Sequence, residues 1–342
     1  MKKVNPIMIV GGILLIAIII IPSILVLPFA SGKTNSTTGG SAVLEENKDW
    51  NKLLEEASMI DVSVYRKEKD EVETIPLEQY IVGVVASEMP VEFDEEALKA
   101  QALAARTYVI KQMMSDVQKG ILKGADINDT VEHQVYKDEE QLKEQWKGNY
   151  EKNIKKIRKA VYETRGQILV YENEPITASY FSMSNGYTEN SDDYYSSAFP
   201  YLTSVESPWD TEAPKFTVET TIPVHVFEST LGVKIDRKHV GEIVSRTESN
   251  RVEKVRIGNK EFTGREIRDK LGLRSTDFIW ELAGQNVVIT TKGYGHGVGM
   301  SQYGANGMAK SGKTFDEIVK HYYQGVEITD ATKYIEQYVV KK

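Results

Sequence analysis

Three features of the sequence predict an α+β fold: a helix-rich domain with a sheet, carrying the candidate chemistry, plus a smaller inserted α+β domain. The first is a helix, break, helix pattern over IPLEQYIVGVVASEMPVEFDEEALKAQALAARTY, Ile75 to Tyr108. The second is a set of short alternating runs, DVSVY, QILVY and NVVITT, that read as strands far apart in the chain. The third is a change of character between Pro208 and Gln285, where strand, helix and hairpin signals follow one another without any paired titratable groups. A chain of 342 residues, 41% hydrophobic and 27% charged, is long enough for two structural units of this kind.

Taken in order, the chain opens with Lys2 and Lys3 ahead of a near-continuous apolar run, Ile7 to Leu27. A run of about 20 uncharged residues matches a bilayer core, and the lysines favour the inner side. The pattern predicts a cytoplasmic N-terminus over 1–6, a single-pass anchor over 7–28 and an ectodomain outside. A cleavable signal peptide is the rival reading, since FASGK supplies small residues for a cut, but the apolar run exceeds the ~7–15 residues of a signal core. SGKTNSTTGGS, Ser31 to Ser41, predicts a flexible linker, placed over 29–58.

The main domain is expected over 59–207 and 286–342. DVSVY, Asp61 to Tyr65, predicts a strand, and RKEKDE a charged turn. Pro76 suits a first helical turn and Pro90 stops that helix. Ile81, Val85 and Glu88 follow the i, i+4, i+7 spacing of one face, so an apolar stripe ends in a carboxylate. Burial and the negative end of the helix dipole both disfavour the anion, which would leave Glu88 holding a proton near neutral pH. A frayed helix end with Glu88 in water is the plainer alternative. The second helix, Asp94 to about Met114, aligns Ala97, Ala100 and Ala104 for close packing. Lys99 and Arg106 share a face, either as a solvated stripe or as a cationic edge beside Glu88.

GILKGADINDTVEHQVY, Gly120 to Tyr136, reads as a loop, in which His133 lacks a neighbouring His or Cys and is taken as a polar loop residue. Asp138 to Arg165 predicts one charged surface helix, ended by Gly166. TASYFSMSNGYTENSDDYYSSAFPY, Thr177 to Tyr201, alternates aromatic rings with hydroxyls and amides, a composition able to stack on and hydrogen-bond an uncharged glycan. The inserted domain over 208–285 includes a Gly258-Asn259 hairpin turn. After the NVVITT strand, KGYGHGVGMSQYGANGMAKSG spaces Gly293, Gly295, Gly297 and Gly299 around His296, permitting tight turns and close backbone approach. The spacing does not fit a phosphate cradle. Thr314 to Glu317 forms a capping box ahead of the last expected helix, IVKHYYQG.

Composition narrows the function classes. A net charge of −8 without a block of Lys or Arg argues against nucleic acid, and the absence of Cys removes disulfides and thiolate chemistry. No cofactor and no metal is expected.

SEMPVEFDEEALKAQALAARTY, SMSNGYTE and GYGHGVGMSQYGANGMA, in that order, resemble the sporulation protein D and amidase-enhancer family. The likeness runs from about Ile60 to Asp330. It implies a peptidoglycan lytic transglycosylase, acting at the sporulation septum during engulfment on glycan strands already freed of stem peptides. The implied partners are stage II sporulation protein P, an amidase, and stage II sporulation protein M, a membrane scaffold. Carried onto this chain, Glu88 of SEMP is the catalytic acid. The expected substrate-binding set is Arg106, Lys99, Gln101, Tyr201, Ser182, Asn185, Tyr187, His296, Gln302 and Tyr303, with His296 as a structural or positioning residue. Some relatives hold zinc with Cys and His near Asp126 to Gln134, whereas this chain keeps only His133 there. A lytic transglycosylase needs one acid where most glycoside hydrolases need two, and Glu92, Asp94 and Glu95 read as capping and first-turn charges. The alternatives are a domain without chemistry that enhances an amidase, and a glycan-binding scaffold.

Overall fold

The computed structural model describes residues 48–115, 121, 123–195, 197–236 and 238–341. The expected cytoplasmic end, the anchor over 7–28 and the linker up to 47 lie outside these residues. Among the described residues no helix is long and apolar enough to cross a membrane.

The linker expected up to residue 58 gives way earlier to a helix, α1 (Trp50–Ala57), because Trp50 and Leu54, one turn apart, are both buried. Strands β1 (Asp61–Arg66) and β2 (Glu71–Pro76) pair antiparallel across the charged turn, and β3 (Ile127–Asn128) joins β1 in parallel. Pro76, with φ −53°, turns β2 directly into α2 (Leu77–Glu88). Nine of its twelve residues are buried, so α2 runs through the interior of the main core rather than along its surface. Asp94 caps α3 (Glu95–Met114) by accepting from the Glu96 amide, and Ala97, Ala100 and Ala104 are fully buried where neighbouring helices press close.

The single helix expected over 138–165 is two. Asp138 opens α4 (Glu139–Trp146) with a capping box, the chain turns at Lys147, whose φ is +47°, and α5 (Tyr150–Glu163) follows. Next come β4 (Gln167–Tyr171), β5 (Glu174–Pro175), β6 (Tyr180–Phe181) and a short helix α6 (Ser191–Tyr194).

A smaller lobe comprises β7 (Thr217–Pro223), α7 (Val224–Leu231), β8 (Glu242–Arg246), β9 (Val252–Ile257), β10 (Lys260–Thr263), α8 (Gly264–Leu271), β11 (Phe278–Ala283) and β12 (Asn286–Lys292). It has its own core, in which Phe227, Ile267 and Phe278 meet Val287 and Ile289. β12 is the central strand of the β11-β12-β7 sheet. That core therefore extends past the boundary expected between 285 and 286, to the glycine turn that follows Lys292.

The chain then returns through β13 (Met300–Ser301), which pairs in parallel with β6, into α9 (Gln302–Lys310) and α10 (Phe315–Tyr322). β14 (Glu327–Asp330) pairs with β4, and α11 (Thr332–Lys341) ends the described chain. The resulting molecule combines helices with several small sheets, an α+β fold. The glycine run is what brings this return to the site. Gly299 has φ +81°, and a Cβ there would sit 2.0 Å from the Ser179 carbonyl oxygen, so the two backbones are in direct contact. The same approach aims His296 and the start of α9 at the end of α2.

Candidate active site

Glu88 is the last residue of α2. The helix stops there because Met89 is extended, with φ −118° and ψ 141°, and Pro90 cannot continue it. The side chain is half-buried and lines a cavity of about 440 Å³. Its Oε1 accepts from the Val135 amide at 3.1 Å, and its Oε2 from Gln302 Nε2 at 3.4 Å. The Tyr180 hydroxyl also donates to the carboxylate. Burial nevertheless outweighs these three bonds and raises the Glu88 pKa above the usual carboxylate value.

Behind Glu88 stands a string of uncharged polar groups. Gln302 Nε2 also donates to Gln101 Oε1 at 3.4 Å, while Gln134 Nε2 donates to the Tyr180 hydroxyl at 3.2 Å and to Ala105 O at 3.3 Å. Tyr80 in turn donates to Gln134 Oε1 at 3.1 Å. Among the described residues no cation pairs with the acid, so no direct ion pair opposes its protonation.

His296 is fixed as the neutral tautomer. Its Nδ1 accepts from the Val298 amide at 3.1 Å, which leaves Nε2–H to donate to Tyr180 O at 3.0 Å. Burial, with help from Arg268, Arg251 and Arg265, lowers its pKa to about 4. Phe181 and Tyr194 flank the ring at 5.5 and 5.3 Å. With both nitrogens committed to the backbone, His296 shapes the wall. The depressed value has a consequence for stability. An imidazole that titrates at about 6.5 when unfolded and about 4 when folded contributes stability above 6.5, and loses it as pH falls toward 4. Urea unfolding of the protein across that window should show a decline that His296→Gln removes.

The aromatic wall is completed by Tyr108, Tyr180, Tyr194 and Tyr195, with Ser179 Oγ and the Tyr195 hydroxyl 3.2 Å apart. Glu132, His133 and Arg265 also line the cavity. Asp94 and Glu95 lie elsewhere, as the α3 cap and as a partner of Lys159 at 2.9 Å.

Several expected substrate-binding residues are placed differently. Arg106 is 0% exposed: its Nε and Nη2 grip both oxygens of Glu78 at 2.9 and 2.7 Å, and its remaining donors reach Gln167 O and Val161 O. It ties α3 to α2, α5 and β4 and cannot reach a ligand. Lys99 is committed to Glu96 at 2.8 Å and Glu163 at 2.5 Å. Tyr201 is buried beside Tyr171 and Phe199, its hydroxyl accepting from the Thr177 amide at 3.0 Å. Asn185 Nδ2 donates to Ser249 O and Asp277 Oδ2, both at 2.8 Å, and so fastens its loop to the smaller lobe. Tyr187 is exposed, its carbonyl accepting from Arg251 at 3.1 Å. Ser182 accepts at its carbonyl from the Tyr303 amide at 3.0 Å, and the Tyr303 ring packs edge-on to Phe93 at 5.0 Å. None of these seven lines the cavity. Gln101 and Gln302 act behind the acid, and His296 beside it.

Sequence reasoning missed Tyr180, Tyr194, Tyr195, Glu132 and Arg265 as individual residues. The tyrosines lie in the aromatic stretch already singled out, but nothing in it tells which rings face a cavity. His133 lines the cavity, its Nδ1 without a partner among the described residues. Among the described residues no group of three His, Cys, Asp or Glu able to hold a metal gathers.

A family profile described as Stage II sporulation protein matches residues 65–171, the segment that holds α2, α3 and Glu88. Stage II sporulation protein D of Bacillus amyloliquefaciens is 49% identical over 99% of this chain and 100% of its own length. The protein of the same name from Bacillus subtilis is 48% identical over 97% of this chain and 98% of its own length. An amidase enhancer of Bacillus subtilis is 31% identical over 72% of this chain, which spans 40% of that longer protein. With near-complete, collinear likeness at this level, the chain belongs to the stage II sporulation protein D family, a family of sporulation proteins.

Proposed function

We propose that the cavity at Glu88 cleaves peptidoglycan glycan strands as a lytic transglycosylase, leaving 1,6-anhydro-muramic ends on strands already freed of stem peptides. The observation that carries this reading is a half-buried carboxyl with a raised pKa, at the negative end of a helix and facing an aromatic-walled cavity. Glu88 gives its proton to the glycosidic oxygen as the bond to the anomeric carbon breaks and an oxocarbenium-like centre develops. The resulting carboxylate then takes the proton of the muramic 6-hydroxyl, whose oxygen closes on the anomeric carbon. Glu88 ends protonated, and no water is consumed. Tyr180, Tyr194 and Tyr195 wall the centre from solvent, and Gln302 steadies the carboxylate between the two steps. In the cell we place the reaction at the sporulation septum during engulfment, on a membrane-anchored protein with its folded part outside. There it would act beside stage II sporulation proteins P and M.

Glu132 supports a second reading, because it is the other carboxylate lining the cavity. A base there could deliver water and turn the reaction into hydrolysis. Glu132→Gln separates the two: transglycosylation predicts an unchanged product spectrum and a rate within about threefold of wild type, since an exposed carboxylate is then a bystander to the general acid. A collapse of activity in Glu132→Gln, with reducing-end products from wild type, would establish hydrolysis. The relationship to an amidase enhancer keeps a third reading, a non-catalytic glycan-binding enhancer or scaffold. It predicts intact strands under all conditions.

A further inference from the structure

We infer that Arg265 determines substrate specificity in this cavity, its guanidinium receiving the free lactyl carboxylate that a muramic residue carries once its stem peptide is gone. The inference rests on the glycan reading above and deepens it.

Arg265 comes from α8 of the smaller lobe, while the acid comes from α2 of the main core. Among the described residues lining the cavity it is the one Lys or Arg, set among the carboxylates Glu88 and Glu132 and four tyrosines. Its side chain is 54% exposed, so the charge is open to a ligand. It is also held in place. The guanidinium carbon lies 4.4 Å from the centre of the Tyr194 ring, and Nη1 donates to Tyr194 O at 3.3 Å. The remaining ionic contact, Nε to Asp269 at 3.7 Å one turn along α8, joins two side chains that are both more than half exposed. Such a pair contributes little and yields readily to a better acceptor. A guanidinium stacked on a ring keeps its N–H groups in one plane, a fixed fork that fits a carboxylate.

The substrate supplies that carboxylate only after one reaction. A muramic residue still joined to its peptide presents a neutral amide at the lactyl group, and hydrolysis of the amide leaves an anion. A cation lining the same cavity as the acid therefore favours the hydrolysed strand over the substituted one. It also sets register, because the alternate sugar, N-acetylglucosamine, has no lactyl group.

The test uses the full-length protein in detergent and two preparations of the same strands, peptide-free with free lactyl carboxylates, and the same with those carboxylates converted to methylamides. Binding is measured in a Glu88→Gln background. The carboxylate strands should bind at least about tenfold tighter, the scale of a charge-assisted hydrogen bond. Adding Arg265→Gln should bring the two affinities together, while Arg265→Lys keeps part of the difference. Equal binding of both strands before Arg265 is changed, or a preference that survives Arg265→Gln, would overturn the inference. Cleavage by the protein with Glu88 intact is read in parallel. Equal cleavage of both strands overturns the subsite and leaves the transglycosylase standing. An Arg265-dependent binding preference without cleavage supports the subsite and removes the catalytic reading.

Discussion

Glu88→Gln should cut strand cleavage by about 10²- to 10⁴-fold, the range a positioned general acid contributes, while leaving strand binding intact. The neutral amide keeps the size of the side chain and can still accept from Val135, but it has no proton to release to a leaving oxygen. The variant should also be no less stable than wild type. The folded pKa of Glu88 lies above the unfolded value, so its favourable contribution is present below the unfolded pKa and lost as pH rises through the folded one. Above that folded pKa the ionised, desolvated carboxylate is a cost to the fold, and Gln removes it. Wild-type activity should fall across the same raised pKa, because the protonated form is the reactive one. Urea unfolding and rate measurements on the two proteins, as a function of pH, check both halves. A Glu88→Gln protein that unfolds more easily and loses binding would make Glu88 a structural residue.

Arg106→Ala should lower unfolding free energy by about 3–5 kcal/mol, the effect of breaking one side of a buried ion pair. The pair with Glu78 is fully buried and bidentate, and Glu78 Oε1 also accepts from the Gly166 amide at 3.1 Å. Removing the guanidinium strands a carboxylate between α2, α3 and the start of β4. Lys would not repair it, since an ammonium cannot span both oxygens and two backbone carbonyls in one plane. Replacing both partners, Arg106→Met with Glu78→Gln, should recover a large part of the loss because no buried charge then remains. Urea midpoints for the single and double variants provide the check. An Arg106→Ala protein of wild-type stability that fails to bind strands would return Arg106 to the substrate-binding role implied by family resemblance.

These two residues show how much of the site was legible in the sequence. Glu88 was, because helical periodicity and Pro90 are local signals that together put a carboxyl at the inner end of an apolar stripe. Arg106 was not. Seven-residue spacing places it on a face with Lys99 but is silent on whether that face meets solvent or a buried Glu in another helix. The glycine run announced a close backbone approach. That it meets Ser179, and thereby sets His296 and Gln302 against Glu88, depends on parallel pairing of β6 with β13 across the whole smaller lobe. Arg265 had no local signal at all, since only docking of α8 brings it to the cavity. The lobe boundary slipped for a similar reason: Asn286–Lys292 looks like any strand, and its place between β7 and β11 is a tertiary fact.

The most direct test of the central claim is the mass of the ends produced when the full-length protein is incubated with peptide-free glycan strands. Fragments ending in 1,6-anhydro-muramic acid, formed by wild type and absent with Glu88→Gln, are the predicted result. Reducing ends, or strands left intact by a folded protein, would contradict it.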